Sequence, residues 1–183
     1  METPTGQLKI NGWQELTREY PDREVIAAIL GICQFGARIG FEMVQAGPKI
    51  YPNLQSALMD KDLVTQDITA ELTKKRIKQY RSISSLPVHF TASPIGLTDK
   101  SDGTKRRIHH LSHPTSAPGS INYGIPEHYG ALVYSTIHEA VQAIQEFGRD
   151  CVLVKRDFQS AFRHIPVSPM DSPLLGFQWG NSY

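Results

Sequence analysis

The feature that most limits the fold is a short apolar segment that ends in a carboxylate, CVLVKRD at residues 151–157. Its first five residues predict a buried β-strand. Asp157 would then lie at the carboxyl end of that strand, which is where open α/β sheets place ligands and metals. The pattern alone leaves a second role open, because an Asp in this position also serves in turns and at helix N-caps.

Turn and capping signals predict a β-hairpin and a helix. The sequence DKSDG at residues 99–103 separates two β-rich runs, residues 87–97 and 104–111, as the turn of a hairpin does. Thr136 and Glu139 have the spacing of a capping box, so we expect a helix that begins at Ser135 or Thr136 and ends at Gly148.

Apolar spacing predicts three further elements. Apolar residues recur at helical spacing in two segments before the hairpin, and another apolar run lies near the C-terminus. We expect a helix that starts at Pro21 and ends near Gly36 or Gly40, a second helix over residues 63–80, and a strand over residues 174–179. With the hairpin, these elements predict an α+β fold class.

Composition excludes several classes of protein. Hydrophobic residues make up 40 % and charged residues 20 % of the 183 residues, which excludes a wholly disordered or collagen-like chain. No apolar run approaches the ~20 residues of a membrane span, and we see no secretion signal, so we expect an intracellular protein with no membrane partner, in the cytoplasm or the nucleus. The two cysteines, Cys33 and Cys151, are far apart and are expected to be buried free thiols.

The net charge of +1 conceals a basic segment. Residues 71–110 contain nine Lys and Arg against three acids, a local charge of +6, so the rest of the chain carries −5. Cations near a helix end and on a hairpin suit the phosphates of a nucleic acid or a nucleotide, although a solvated basic face has the same composition. The candidate nucleic-acid-binding residues are Lys74, Lys75, Arg76, Lys78, Lys105 and Arg107.

Three histidines, His109, His110 and His113, raise the question of a zinc site. His109 and His110 are adjacent, and adjacent side chains on a strand point to opposite faces, so the two do not readily share a metal. We interpret all three as ordinary polar or hydrogen-bonded histidines.

The segment that begins at Asp157 resembles the first catalytic motif of the reverse transcriptase family. In that family an apolar strand is followed by Asp, two or three residues, Ala-Phe or Ala-Tyr, and an Ile-Pro-like pair; this chain has DFQSAFRHIP at residues 157–166. The family's fingers hairpin has a Ser/Thr-Pro, a Lys, an Asp-Gly-like turn and a basic exit strand. The matching residues here are Ser93-Pro94, Lys100, Asp102-Gly103 and the KRR sequence at residues 105–107.

Other stretches are most similar to retroelements that integrate with a tyrosine recombinase, the DIRS-like and Ngaro-like elements. These stretches are residues 21–23, 36–41, 106–114, 120–122 and 174–177, so the resemblance runs from about residue 20 to the end. It implies an α+β fragment of a right-hand polymerase with an incomplete palm. The implied parts are a helical N-terminal extension at residues 1–82, the fingers hairpin and its connecting loop at 83–134, and the start of the palm at 135–183.

The resemblance also implies roles in RNA-templated DNA synthesis for individual residues. Asp157 and the backbone carbonyl of Phe158 would bind Mg²⁺ or Mn²⁺ for two-metal phosphoryl transfer. Lys100 and Arg106 would hold the phosphates of a deoxynucleoside triphosphate, for which a guanidinium fork is well suited. Phe162 would lie beneath the sugar and exclude a 2′-hydroxyl by its size. The implied partners are an RNA template and a DNA primer, and the parent polyproteins of such elements can also carry recombinase and RNase H regions.

The chain departs from the family's pattern in three ways. Lys105 stands where the family usually has Trp, and Thr98-Asp99 stands where a hydrophobic-Pro pair often precedes the Lys. The family's second motif, aromatic-x-Asp-Asp, is absent from the sequence and is expected beyond residue 183. Since one carboxylate supplies too few ligands for two Mg²⁺ ions, we expect the 183-residue chain alone to lack polymerase activity. A palm sheet without its central hairpin would leave the strand at residues 152–155 with an unpaired edge, so we expect the C-terminal third to be the least stable part.

Two alternatives remain beside a part of a polymerase. One is a non-enzymatic relic or truncated product that at most binds nucleic acid through the basic segment; the other is an unrelated soluble binding domain. The reading frame after Tyr183 separates the first alternative from an enzyme, because a continuation with aromatic-x-Asp-Asp supports the polymerase and a stop codon supports the relic.

Overall fold

The computed structural model describes residues 8–115, 118–130, 133–157 and 161–183. It shows a mixed α/β protein with two small two-stranded sheets. Within these residues, no helix combines the length and the apolar character that crossing a membrane requires. The helices are α1 (Ile10–Leu16), α2 (Arg23–Phe35), α3 (Gln55–Met59), α4 (Lys61–Thr73), α5 (Glu127–Gly130) and α6 (Ile137–Phe147), and the strands are β1 (Lys49–Ile50), β2 (Thr91–Ala92), β3 (Ile95–Asp99) and β4 (Lys105–His109).

The predicted hairpin is confirmed and consists of β3 and β4. The two strands pair antiparallel, with Ile95 opposite His109 at the open end. In the turn, Gly103 adopts a φ of +78°, a conformation that glycine reaches without the strain of a side chain. The paired strands are shorter than the β-rich runs of the sequence, since the first run is divided between β2 and β3.

The hairpin packs against α3 and α4 around a small apolar core. Ala57, Val64 and Ile95 are fully buried at the centre of this core. Trp179 packs against them from the C-terminal segment, and its Nε1 donates a hydrogen bond to Thr65 Oγ1 at 3.0 Å. The core therefore fixes the hairpin, α4 and the C-terminal segment relative to one another.

The capping signals of α2 and α6 predict their ends correctly. α2 ends with Gly36 as its C-cap, at a φ of +79°, and α6 ends with Gly148 as its C-cap. At the start of α6, the Glu139 N–H donates to Thr136 Oγ1 at 3.2 Å, and the Thr136 N–H donates to the Glu139 carboxylate at 2.5 Å. The hydrogen bonds that Thr136 donates lower the pKa of Glu139, because they favour its charged form.

The predicted helix over residues 63–80 ends earlier, at Thr73. Lys75 adopts a φ of +55°, and the N–H groups of Lys75 and Arg76 donate back to carbonyls of the last helical turn. This pair of bonds forms a Schellman motif, which reverses the chain and terminates α4. The helix end is not visible in the sequence because the motif usually has Gly or Asn where this chain has Lys75.

The prediction of a strand over residues 174–179 is wrong. The segment begins with a 3-10 helix, Ser172–Leu175, and Pro173 at its start favours that conformation. The backbone then forms single bridges, one of which pairs Gly176 with Ala92 of β2.

The prediction of a buried strand before Asp157 is also wrong. Residues 151–157 have no regular secondary structure, and Val152, Leu153 and Val154 are exposed. A strand needs a neighbour for its backbone N–H and C=O groups, and no strand in the described part of the chain pairs with this segment.

The two cysteines and the apolar stripe of α6 are not part of the buried core. Cys33 and Cys151 are free thiols as expected, but they are half-buried rather than buried. The apolar stripe of α6, which consists of Ile137, Val141 and Ile144, is exposed.

Candidate functional site

A cavity of about 430 Å³ is lined by residues of α4, of the β3–β4 hairpin and of a 3-10 helix, Ala161–His164. It brings together Lys100, Arg106 and Phe162, the three residues that the resemblance implies around a nucleotide. Lys100 and Arg106 come from the hairpin, whereas Phe162 follows Asp157 much later in the sequence. The fold thus joins candidate residues from two separate motifs.

The lining of this cavity is predominantly cationic. Five Lys and Arg side chains line it against two acids, so its walls carry a formal charge of +3. An excess of positive charge in a concave site favours an anionic ligand. The cations are Lys100, Lys105, Arg106, Arg107 and Arg163, and the acids are Asp67 and Glu71.

Arg106 and Arg107 are neighbours on β4 but have different surroundings. The Arg107 side chain is only 6 % exposed, its Nε donates to the Asp67 carboxylate at 2.5 Å, and its guanidinium lies 4.9 Å from the centre of the Phe177 ring. Arg106 is exposed, and its guanidinium has no hydrogen-bond or ion-pair partner among the residues described. Arg106 is therefore available to a ligand phosphate, whereas Arg107 braces the hairpin against α4.

Glu71 is a buried carboxylate that contacts two arginines. Its Oε2 accepts a hydrogen bond from Arg163 Nη1 at 2.6 Å, and its Oε1 lies 3.5 Å from Arg76 Nη1. The Glu71 side chain is 9 % exposed and that of Arg163 is 42 % exposed. Because Arg163 follows Phe162 directly, this ion pair ties the Phe162-bearing 3-10 helix to α4.

Three of the candidate nucleic-acid-binding residues take part in ion pairs within the fold. Arg76 contacts Glu71, Arg107 contacts Asp67, and Lys105 Nζ lies 3.1 Å from the Asp60 carboxylate. Glu71 and Asp67 lie on α4, and Asp60 directly precedes that helix. These three acids offset part of the positive charge of the basic segment.

The other three candidates in the set lie near the end of α4 and are exposed. Lys74 and Lys75 follow the helix directly, and the Lys78 ammonium lies 5.3 Å from the centre of the Tyr80 ring. These lysines are the more accessible part of the basic segment.

Asp157 stands apart from this cavity. It is exposed at the end of the irregular segment and is not among the described residues that line the cavity. Phe158, the second implied metal ligand, lies outside the described residues. Across residues 8–115, 118–130, 133–157 and 161–183, no three His, Cys, Asp or Glu side chains are grouped so that they could hold a metal ion. These residues therefore do not by themselves provide the Mg²⁺ or Mn²⁺ site that the resemblance implies.

His109 is hydrogen-bonded, as the sequence predicts. Its Nε2 lies 2.9 Å from the Gly176 carbonyl oxygen, and its ring packs edge-on against Phe177. Burial lowers the pKa of His109 to about 4. The Gly176 hydrogen bond raises this pKa, and the positive charges of Arg107 and Arg163 lower it further. The ring is therefore neutral at pH 7, and Nε2–H donates to Gly176.

Sequence reasoning missed two ion pairs between α4 and other residues that line the cavity, Asp67–Arg107 and Glu71–Arg163. Asp67 and Glu71 lie one turn apart on α4, so they share one face of the helix. Two acids on one face, in a chain with a basic hairpin nearby, are a signal that points to cross-element ion pairs. The partner Arg163 carries no such signal, because it lies 92 residues away from Glu71.

No family model, curated protein or solved structure matches this chain. The residues that line the cavity, and the motifs that contain them, are therefore the observations that bear on function.

Proposed function

We propose that this chain supplies the fingers and the first palm motif of a retroelement reverse transcriptase, and that the cavity holds the incoming deoxynucleoside triphosphate. The observation that carries the proposal is that Lys100, Arg106 and Phe162 line one cationic cavity. Its volume, about 430 Å³, lies within the range of pockets that bind small molecules.

The cavity lining contains groups that suit both the phosphates and the sugar of a nucleotide. The Arg106 guanidinium can donate two parallel hydrogen bonds to a phosphate, and Lys100 adds a second cation from the same hairpin. Phe162 offers an exposed aromatic ring, which can contact the apolar face of a sugar. Asp157 is proposed as one ligand of the Mg²⁺ or Mn²⁺ ions of a complete palm, which needs further acidic residues.

The RNA template and the DNA primer are proposed to contact the exposed lysines near the end of α4. Lys74 and Lys75 carry charge that no ion pair offsets within the described part of the chain. Contacts between lysines and phosphates do not depend on the nucleotide sequence, and the affinity that they provide falls as the salt concentration increases. The same lysines would serve the alternative function, a relic that binds nucleic acid without binding nucleotides.

Replacing Arg106 by Gln is expected to raise the Kd for a deoxynucleoside triphosphate about tenfold or more. A charge-assisted hydrogen bond is worth roughly 1.5–3 kcal/mol, and 1.4 kcal/mol corresponds to a factor of ten. Fluorescence titration of the 183-residue chain with a labelled triphosphate measures this change.

The matched control is Arg81→Gln, which removes another exposed arginine of the basic segment that does not line the cavity. The Kd of the Arg81→Gln variant for the triphosphate is expected to equal that of the unmodified chain. Equal weakening by both substitutions would show a diffuse charge effect rather than a site. Binding of single-stranded nucleic acid with no binding of the triphosphate would favour the relic.

A further inference from the structure

We infer that Glu71 is a positioning residue: through its ion pair with Arg163, it holds Phe162 in the wall of the cavity and thereby sets the preference for deoxyribose over ribose. The part of this inference that concerns the sugar rests on the proposed function. The part that concerns the position of Phe162 rests on geometry alone.

Phe162 has little to hold it in place. The residue is 92 % exposed, so burial contributes little to fixing the position of its ring. The adjacent Arg163, in contrast, makes a 2.6 Å contact with a carboxylate that is almost fully buried. The position of the ring therefore depends on the anchor at its neighbour.

Glu71 is suited to act as that anchor. A buried carboxylate is costly unless it stays paired, so moving Arg163 away would leave part of this charge uncompensated. The contact from Glu71 to Arg76 is longer, at 3.5 Å, and Arg76 lies just beyond the same helix. The shorter contact is the one that crosses to the Phe162-bearing helix, so it couples α4 to the cavity wall.

The test places 4-fluorophenylalanine at position 162 of the 183-residue chain and records its ¹⁹F resonance. Glu71→Gln is expected to displace and broaden this resonance, and Arg163→Gln is expected to do the same by breaking the pair from its more exposed side. If the two act through one contact, the double variant should add little to either single change. Arg163→Gln also keeps the test valid if Glu71→Gln does not fold.

Asp67→Asn is the matched control for the ¹⁹F signal. It removes the same type of ion pair one turn earlier on α4, but its partner Arg107 lies on β4 rather than beside Phe162. We expect the resonance of residue 162 to stay where it is in the unmodified chain. A resonance that is unchanged in both Glu71→Gln and Arg163→Gln, or that moves equally in Asp67→Asn, would overturn the inference.

The sugar preference gives a second readout. Rejecting one added group by the shape of a pocket is worth roughly 10- to 200-fold, so the ratio of ribo- to deoxyribonucleoside triphosphate Kd values should fall about tenfold in Glu71→Gln. Inorganic triphosphate, which has no sugar, should bind more tightly because Glu71→Gln removes a negative charge from the cavity lining. That gain is common to both nucleotides and cancels in the ratio of their Kd values. An unchanged ratio would overturn the sugar part of the inference. If no nucleotide binds the unmodified chain, the proposed function fails, and the ¹⁹F result still decides whether Glu71 positions Phe162.

Discussion

Gly36→Ala is expected to lower the free energy of unfolding by roughly 3 kcal/mol or more. Gly36 has a φ of +79° and a ψ of 156°, a region of backbone conformation that is essentially restricted to glycine and costs other residues about 1–3 kcal/mol. A Cβ there would also lie 2.5 Å from the backbone nitrogen of Ser168. Backbone atoms cannot move aside as a side chain can, so overpacking adds roughly 1–3 kcal/mol.

The destabilisation should be accompanied by loss of the contact between two distant segments. Next to Gly36, the Ala37 N–H donates to the Pro166 carbonyl at 2.7 Å, and the Ser168 N–H donates to the Ala37 carbonyl at 2.9 Å. Asp171 reinforces this contact, since one of its carboxylate oxygens accepts bonds from Arg38 Nε and from the next backbone N–H, both at 2.8 Å. The contact anchors the chain that follows the Asp157 motif.

Urea denaturation measures the change, and Gly31→Ala is the matched control. Gly31 lies within α2, and a Cβ there would have no neighbouring atom within 4 Å. Alanine in a helix interior is more favourable than glycine by about 1 kcal/mol, so the control should be slightly stabilised. Equal free energies of unfolding for the Gly36→Ala and unmodified chains would contradict the close approach at Ser168.

The second large effect is a loss of stability in acid that depends on His109. Burial lowers the pKa of His109 from its ordinary value of 6.5 to about 4 in the folded chain. As pH falls below 6.5, the unfolded chain takes up this proton before the folded chain does, so unfolding becomes easier. His109 alone should therefore reduce the free energy of unfolding by roughly 3 kcal/mol between pH 6.5 and about pH 4, and by nothing further below that.

Comparison with His109→Gln isolates this contribution from that of the carboxylates. The glutamine amide can donate to the Gly176 carbonyl but does not titrate, so the variant should lose less stability between pH 6.5 and pH 4. His138→Gln, at an exposed position on α6, should show the same pH dependence as the unmodified chain. Parallel stability curves for the His109→Gln and unmodified chains would refute the low pKa.

Elements that local sequence signals determine could be predicted. The hairpin has its turn residues between two β-rich runs, and the capping box of α6 joins Thr136 to a residue three positions away. Glycines at the ends of α2 and α6 also act locally, through backbone conformations that other residues reach with strain. In each case the atoms that decide the structure lie within a few residues of one another.

Features that depend on distant partners, or on a residue in a conformation unusual for its type, could not be predicted. The apolar run before Asp157 has strand composition, but composition does not supply the neighbouring strand that would satisfy its backbone. α4 ends earlier than predicted because Lys75 adopts a positive φ, which is uncommon for lysine and therefore not predictable from its residue type. Lys100, Arg106 and Phe162 could be named as candidates from motifs, whereas the Glu71–Arg163 ion pair that shapes their cavity joins residues 92 positions apart.

The measurement that tests the central claim most directly is ¹H–¹⁵N NMR of the 183-residue chain during titration with a deoxynucleoside triphosphate. If the cavity binds the nucleotide, backbone resonances of Arg106 in the hairpin and of residues 161–163 in the 3-10 helix should shift together and saturate with one Kd. Shifts in the hairpin alone would show a phosphate on an exposed cation, and no saturable shifts would show that nothing binds. Either result would contradict the proposal that the two motifs form one nucleotide site.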